Sequence, residues 1–214
     1  MPGRFVTFEG GDGSGKSTQL TRLAARLARL GIEPVVTREP GGTPLAESIR
    51  ALLLDPERRP EPLGEAFLME AARSDLVARV IAPALAQGRI VLGDRYTDST
   101  MAYQGHGRGL DLAMLRAWNA AATGGRTPDL TFLFDLPASE GMARRAGSTG
   151  RTNRIDQEPL EFHERVRRGY LELARAEPGR VVVIEAALNP RQVEDAVWGA
   201  VQRALPNLSQ TNKA

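Results

Sequence analysis

The chain has 214 residues, 42% of them hydrophobic and 25% charged, which suits one α/β domain with a sizeable core and excludes a disordered or fibrous chain. Lysines and arginines exceed acids by 28 − 26 = +2, and the absence of cysteine excludes disulfides, zinc–thiolate sites and thiol nucleophiles. No apolar run approaches the roughly 18 residues of a membrane span, and no charged-then-apolar leader is present. A soluble cytoplasmic protein with no membrane partner is therefore expected.

The first β-rich run, RFVTFE (4–9), leads into GGDGSGKS. Gly10, Gly15, Lys16 and Ser17 satisfy G-x-x-x-x-G-K-[ST] between a strand pattern and a helix pattern, the setting that identifies a phosphate loop. Residues Gly10, Gly11, Asp12, Gly13, Ser14, Gly15, Lys16, Ser17 and Thr18 would wrap the phosphates of ATP, helped by the positive end of the following helix. Lys16 would reach the β- and γ-phosphates, and the Ser17 hydroxyl would ligate Mg²⁺. Asp12 is a puzzle, because a carboxylate turned toward a triphosphate is repelled in a poorly hydrated site. It is expected to face a hydroxyl or a metal-bound water on a second ligand.

Leu20, Leu23, Leu27 and Leu30 then recur at helical spacing until Gly31. The second run, PVVT (34–37), delivers Arg38 to a strand's C-terminal end, where open α/β sheets bind ligands. A helix over 63–87 places Met69, Arg73, Leu76 and Val80 on one stripe. Arg73 is then a cation in an apolar sector, costly unless paired, and is expected to line a pocket and donate to a ligand. The third run, RIVLGD (89–94), ends in Asp94, an acid placed to reach Mg²⁺ through water. Arg95 follows, able to clamp a phosphate bidentately. A helix is expected over 111–123 and a fourth strand, LTFLFDL, over 130–136.

RRAGSTGRTNR (144–154) has four arginines, no acid and no apolar anchor, and reads as part of a mobile lid spanning about 144–157. Helices over 158–176 and 190–204 flank a fifth strand, RVVVIEA (180–186), and the polar residues 206–214 read as a disordered tail. Strands alternating with helices predict one domain over 1–205: an α/β, three-layer P-loop fold with a central five-stranded parallel sheet flanked by helices. His106 and His163 have no metal-spacing partner and read as packing or surface residues; Trp118 and Trp198 read as core or interface aromatics.

The phosphate loop fixes nucleotide binding but not the reaction. A switch GTPase would need N-K-x-D and a suitably placed D-x-x-G, which are absent. A nucleic-acid-dependent ATPase would need a basic stripe with exposed aromatics, whereas aromatics are 5% of the chain, so no nucleic-acid partner is expected. A P-loop kinase acting on some other nucleotide or a nucleoside stays open on this reading.

The loop with Asp12, TREPGG (37–42), EAFLMEAAR (65–73), DRYTDSTMAYQG (94–105) and RIDQE (154–158) together resemble the bacterial thymidylate kinases, in order and spacing over residues 4–204. The resemblance implies transfer of the γ-phosphoryl of ATP to dTMP with Mg²⁺, in a homodimer. It puts Asp12 on the sugar 3′-hydroxyl, Arg38 and Arg95 on the 5′-phosphate, with Ser99 beside them. Arg73, Thr100 and Gln104 would meet the thymine ring, and Tyr103 the deoxyribose. It also places Glu9, weakly, near the metal or Asp12. Met69 stands where many members carry a phenylalanine stacked on the base. The P-loop itself lacks a basic residue at Asp12–Ser14, so the lid is expected to supply the catalytic arginine from Arg151 or Arg154, with Arg144 against adenine.

Overall fold

Residues 3–147 and 152–205 are described by the computed structural model; Arg151 and the expected tail 206–214 lie outside them. The five apolar runs form β1 (Arg4–Gly10), β2 (Val35–Arg38), β3 (Ile90–Asp94), β4 (Leu130–Asp135) and β5 (Val181–Glu185). All neighbours pair in parallel, in the order β2-β3-β1-β4-β5. The central strands are buried on both faces, which is why their sequences show almost no polar alternation. On the edges, Val36 of β2 and Val183 of β5 remain exposed.

Alternation along β1 assigns the layers. Val6 and Phe8 pack with Leu20, Leu23 and Leu27 of α1 (Lys16–Arg29) and with Val193, Val197 and Val201 further along the chain. Phe5 points the other way, into Leu76, Val77, Ile81 and Tyr96. The remaining helices are α2 (Pro44–Leu54), α3 (Pro62–Leu76), α4 (Ala82–Ala86), α5 (Thr97–Thr100), α6 (Leu112–Thr123), α7 (Ala138–Ala146), α8 (Leu160–Ala176) and α9 (Pro190–Ala204). The helix expected over 63–87 is one course, α3 to α4, joined by a wider π turn at Val77–Ile81. Pro83 offers no N–H to the preceding turn, and the π geometry absorbs that defect just upstream of it. A second π stretch, Met101–Gly107, extends α5.

Three of the long helices start on a side-chain cap. Thr43 accepts from Ala46 N–H with Pro44 behind it, Asp111 accepts from Met114 N–H, and Asn189 and Gln192 form a reciprocal capping box. α1 has no side-chain cap; it opens directly from Gly15 in the glycine loop. The strand register then aligns three strand ends, with Phe8 opposite Asp94 and Arg38 opposite Asp94.

Candidate active site

Gly10, Gly13 and Gly15 adopt positive φ values of 133°, 75° and 87°, which curl the loop so that its amides and the uncapped amides of α1 face one space. Gly13 could not be replaced by a larger residue here: a Cβ would lie 2.2 Å from the Gly141 carbonyl oxygen of α7. Lys16 is buried and its Nζ folds back onto the Gly11 carbonyl at 2.7 Å. Burial, with the Arg95 cation nearby, pushes its pKa down to about 8. An anion in the loop would reverse that shift. Ser17 Oγ donates to Asp94 Oδ2 at 2.5 Å, so the two expected Mg²⁺ groups already meet between the start of α1 and the end of β3.

Asp12, Gly13, Gly15, Lys16, Ser17 and Thr18 form one wall of a cavity of about 470 Å³. Arg38, Glu39, Arg50, Met69, Asp94, Arg95, Ser99, Tyr103 and Gln104 form the facing wall. Ser14 is buried beneath the loop, whereas Gly10 and Gly11 border a second cavity between the loop, α7 and α8.

Arg95 is the centre of the facing wall. It follows β3 with φ of 75°, the only positive φ outside glycine among the described residues. Its Nη2 donates to Asp12 Oδ1 at 2.7 Å and Tyr103 Oη at 3.0 Å; its Nη1 is 3.0 Å from Gly10 O, 3.2 Å from Ser99 Oγ and 3.0 Å from Tyr170 Oη. Burial alone would raise the Asp12 pKa, but the Arg95 and Lys16 cations hold it down to about 2. Asp12 is turned toward Arg95 and Tyr103. Arg38 is held at the rim by both oxygens of Glu47, at 2.8 and 2.9 Å.

Arg50 and Arg145 are cavity-lining cations that the sequence reading did not single out. Arg50 reaches in from α2 and donates to the Pro40 carbonyl at 2.8 Å; burial and the neighbouring Arg38 cation lower its pKa. Arg145 pairs with Asp156 at 3.0 Å. At the far end, Gln104 Nε2 donates to Glu65, leaving Gln104 Oε1 without a partner beside Met69.

The geometry places the other expected residues as follows. Arg73 does not line the cavity: it is fully buried, and Glu39, Glu70, Thr100, Asn119 and the Tyr96 carbonyl take its guanidinium. Thr100 is buried with it. Glu9 is fully buried, and both its oxygens take protein donors. Arg154 is not a free lid residue: it is buried, its Nη2 on Glu65 at 2.7 Å and its Nε on the Leu53 carbonyl at 3.1 Å, and a 3₁₀ turn follows over Ile155–Gln157. Arg144 lies outside the cavity, with Nη1 on the Ala186 carbonyl at 3.1 Å.

A family model described as thymidylate kinase matches residues 8–197. The chain belongs to the thymidylate kinase family. It is 51% identical to a thymidylate kinase of Deinococcus radiodurans over 93% of this chain and 96% of the relative. It is 52% identical to one from Thermomicrobium roseum over 94% and 95% respectively. The crystal structure of thymidylate kinase from Ehrlichia chaffeensis superposes with a TM-score of 0.78 at 35% identity, covering 94% of this chain and 99% of that one.

Proposed function

We infer that this protein transfers the γ-phosphoryl group of ATP to dTMP, giving ADP and dTDP. The observation that carries the reading is the single cavity with Lys16 and the glycine loop on one wall and Arg38, Arg50 and Arg95 on the other. Lys16 and the open amides of α1 take the ATP phosphates. Arg38, Arg50 and Arg95 take the 5′-phosphate of dTMP, and Asp12 accepts from the sugar 3′-hydroxyl. Tyr103 packs on the deoxyribose, Met69 covers a thymine face, and Gln104 Oε1 accepts from the thymine edge. Arg144, beside the turn that precedes α9, lies against adenine.

Ser17 and Asp94 present adjacent hard oxygen donors, and no cluster of three or more His, Cys, Asp or Glu occurs among the described residues. That sparse set fits Mg²⁺, which takes few protein ligands and keeps water and substrate oxygens. When bound, Mg²⁺ neutralises phosphate charge.

The acceptor phosphate, with a second pKa of about 6, is already largely dianionic at neutral pH, so no general base is needed. The obstacle is repulsion between two polyanions, and the chain answers it with position and cations. Arg145 and Arg154 border the cavity beside Lys16 and Arg95. No described helix is long and apolar enough to cross a membrane. A cytoplasmic homodimer belongs to the same reading. Its contact face is the exposed Leu63 and Phe67 on the first turns of α3, where the Phe67 ring lies 4.6 Å from Trp118 at a tilt.

ADP release with ATP and Mg²⁺ against dTMP, dUMP, dCMP, dGMP and thymidine tests the function. Turnover should be fastest with dTMP and weaker with dUMP, because one ring methyl is worth only about 1–3 kcal/mol. Faster turnover of thymidine or of a purine nucleotide would overturn it.

A further inference from the structure

Beneath the phosphate loop lies a buried hydrogen-bond assembly that meets the cavity wall through Ser99 and Arg95. Glu9 is the last side chain of β1 before the glycines and is fully buried. Its Oε1 accepts from Tyr96 N–H at 2.6 Å. Its Oε2 accepts from Ser99 Oγ at 2.6 Å and Tyr170 Oη at 2.9 Å, and those two hydroxyls lie 2.7 Å apart.

Ser99 Oγ, Tyr170 Oη and Glu9 Oε2 thus form a closed triangle. An ionised carboxylate brings no hydrogen and each hydroxyl brings one. Every arrangement that satisfies the triangle places both hydroxyl hydrogens inside it. Arg95 Nη1, at 3.2 Å from Ser99 Oγ and 3.0 Å from Tyr170 Oη, then faces lone pairs only. The second oxygen of Glu9 fixes the peptide that follows Arg95, the residue with φ of 75°. A non-glycine residue in that region costs on the order of 1–3 kcal/mol unless its surroundings enforce it.

We propose that Glu9 is a positioning residue for the acceptor phosphate: it sets the backbone turn at Arg95 and the hydroxyl polarity that aims the Arg95 guanidinium. It acts through Arg95 and touches neither substrate nor metal. This assignment rests on Arg95 serving the phosphate of dTMP, as inferred above.

Glu9→Gln tests the idea with nearly unchanged volume. Whichever way the amide turns, its NH₂ meets either Tyr96 N–H or the hydroxyl triangle, so one donor loses its acceptor or one hydroxyl hydrogen turns on Arg95. Expected is a loss of about 10- to 100-fold in kcat/KM for dTMP, as for a disturbed hydrogen bond to a charged group, with KM for ATP within about twofold of wild type. A structural role alone would lower Tm and weaken both substrates together. Tyr170→Phe, which removes one hydroxyl and introduces no donor, should give the same dTMP-only loss. The double variant should lose less than the product of the two single losses.

Unchanged kcat/KM for dTMP in Tyr170→Phe and in folded Glu9→Gln would overturn the assignment, as would equal losses for ATP and dTMP. If Glu9→Gln does not fold, Tyr170→Phe alone decides in the same way. Arg95→Ala, run in parallel, separates the two layers. Lost transfer in Arg95→Ala with none in the other variants refutes Glu9 alone, whereas wild-type transfer in Arg95→Ala refutes the acceptor-site reading as well.

Discussion

Arg50 donates to a backbone carbonyl and has no carboxylate at ion-pair distance among the described residues, unlike Arg38 on Glu47 or Arg95 on Asp12. An arriving phosphate therefore meets less competition at Arg50. Arg50→Ala should raise KM for dTMP by about 10- to 100-fold, the scale of a charge-assisted hydrogen bond, while isothermal titration finds ATP affinity unchanged. Glu9 supplies a pH signature. Its burial and the Asp98 charge push its pKa up to about 7, against the lowering effects of Arg95, Ser99 and Tyr170. A raised carboxyl pKa means the folded state holds the proton more tightly. The contribution is therefore full below about 4.5 and is lost as pH rises to about 7. Urea melts of wild type against Glu9→Gln should show wild type losing roughly 3 kcal/mol relative to the variant across that window, and nothing further above it. A flat difference would refute the shift. At this scale Lys16 and Ser17 were legible because a motif fixes their spacing, and Asp94 because it ends an apolar strand run. Arg73 was misread because its partner Glu39 sits 34 residues away and only the fold brings it to 2.7 Å.

Among the elements, α7 and the phosphate loop meet through two glycines. A Cβ on Gly141 would stand 2.5 Å from the Asp12 carbonyl oxygen, and backbone cannot yield as a flexible side chain can. Gly141→Ala should cost about 1–3 kcal/mol by overpacking and lower Tm by several degrees. It should also raise KM for ATP, because the displaced loop holds the phosphates; wild-type kinetics and Tm would contradict the contact. All five strands were legible to within a residue or so, since doubly buried strands carry continuous apolar runs. α2 was not laid out in the sequence, although Thr43-Pro44 with Glu47 behind it is a usable start signal, and Arg50 was missed with it. The π turns left no periodic trace, because one extra residue per turn only smears the helical stripe.

For the whole molecule, the exposed Leu63 and Phe67 of α3 are the surface that a second copy would cover in the proposed dimer. Phe67→Asp should convert a sedimenting dimer to a monomer while the melting transition stays cooperative; a monomeric wild type would remove the proposal. The helical pattern of α3 sets Leu63 and Phe67 on a different face from the buried Met69 and Leu76, but does not say what covers that face. The fold was thus readable in one chain, whereas the outer contact face needed the packed helices.

The register that sets Phe8 and Arg38 both opposite Asp94 has a wider meaning. The gap that a phosphoryl group must cross is measured out by backbone ladder bonds, a lattice that side-chain drift cannot stretch. Substitution can retune grip on either nucleotide, but one inserted residue in β3 would turn Asp94 and Arg95 to opposite sides at a stroke. Variation of this catalyst is thereby channelled into what each strand end carries, and held back from where each strand ends.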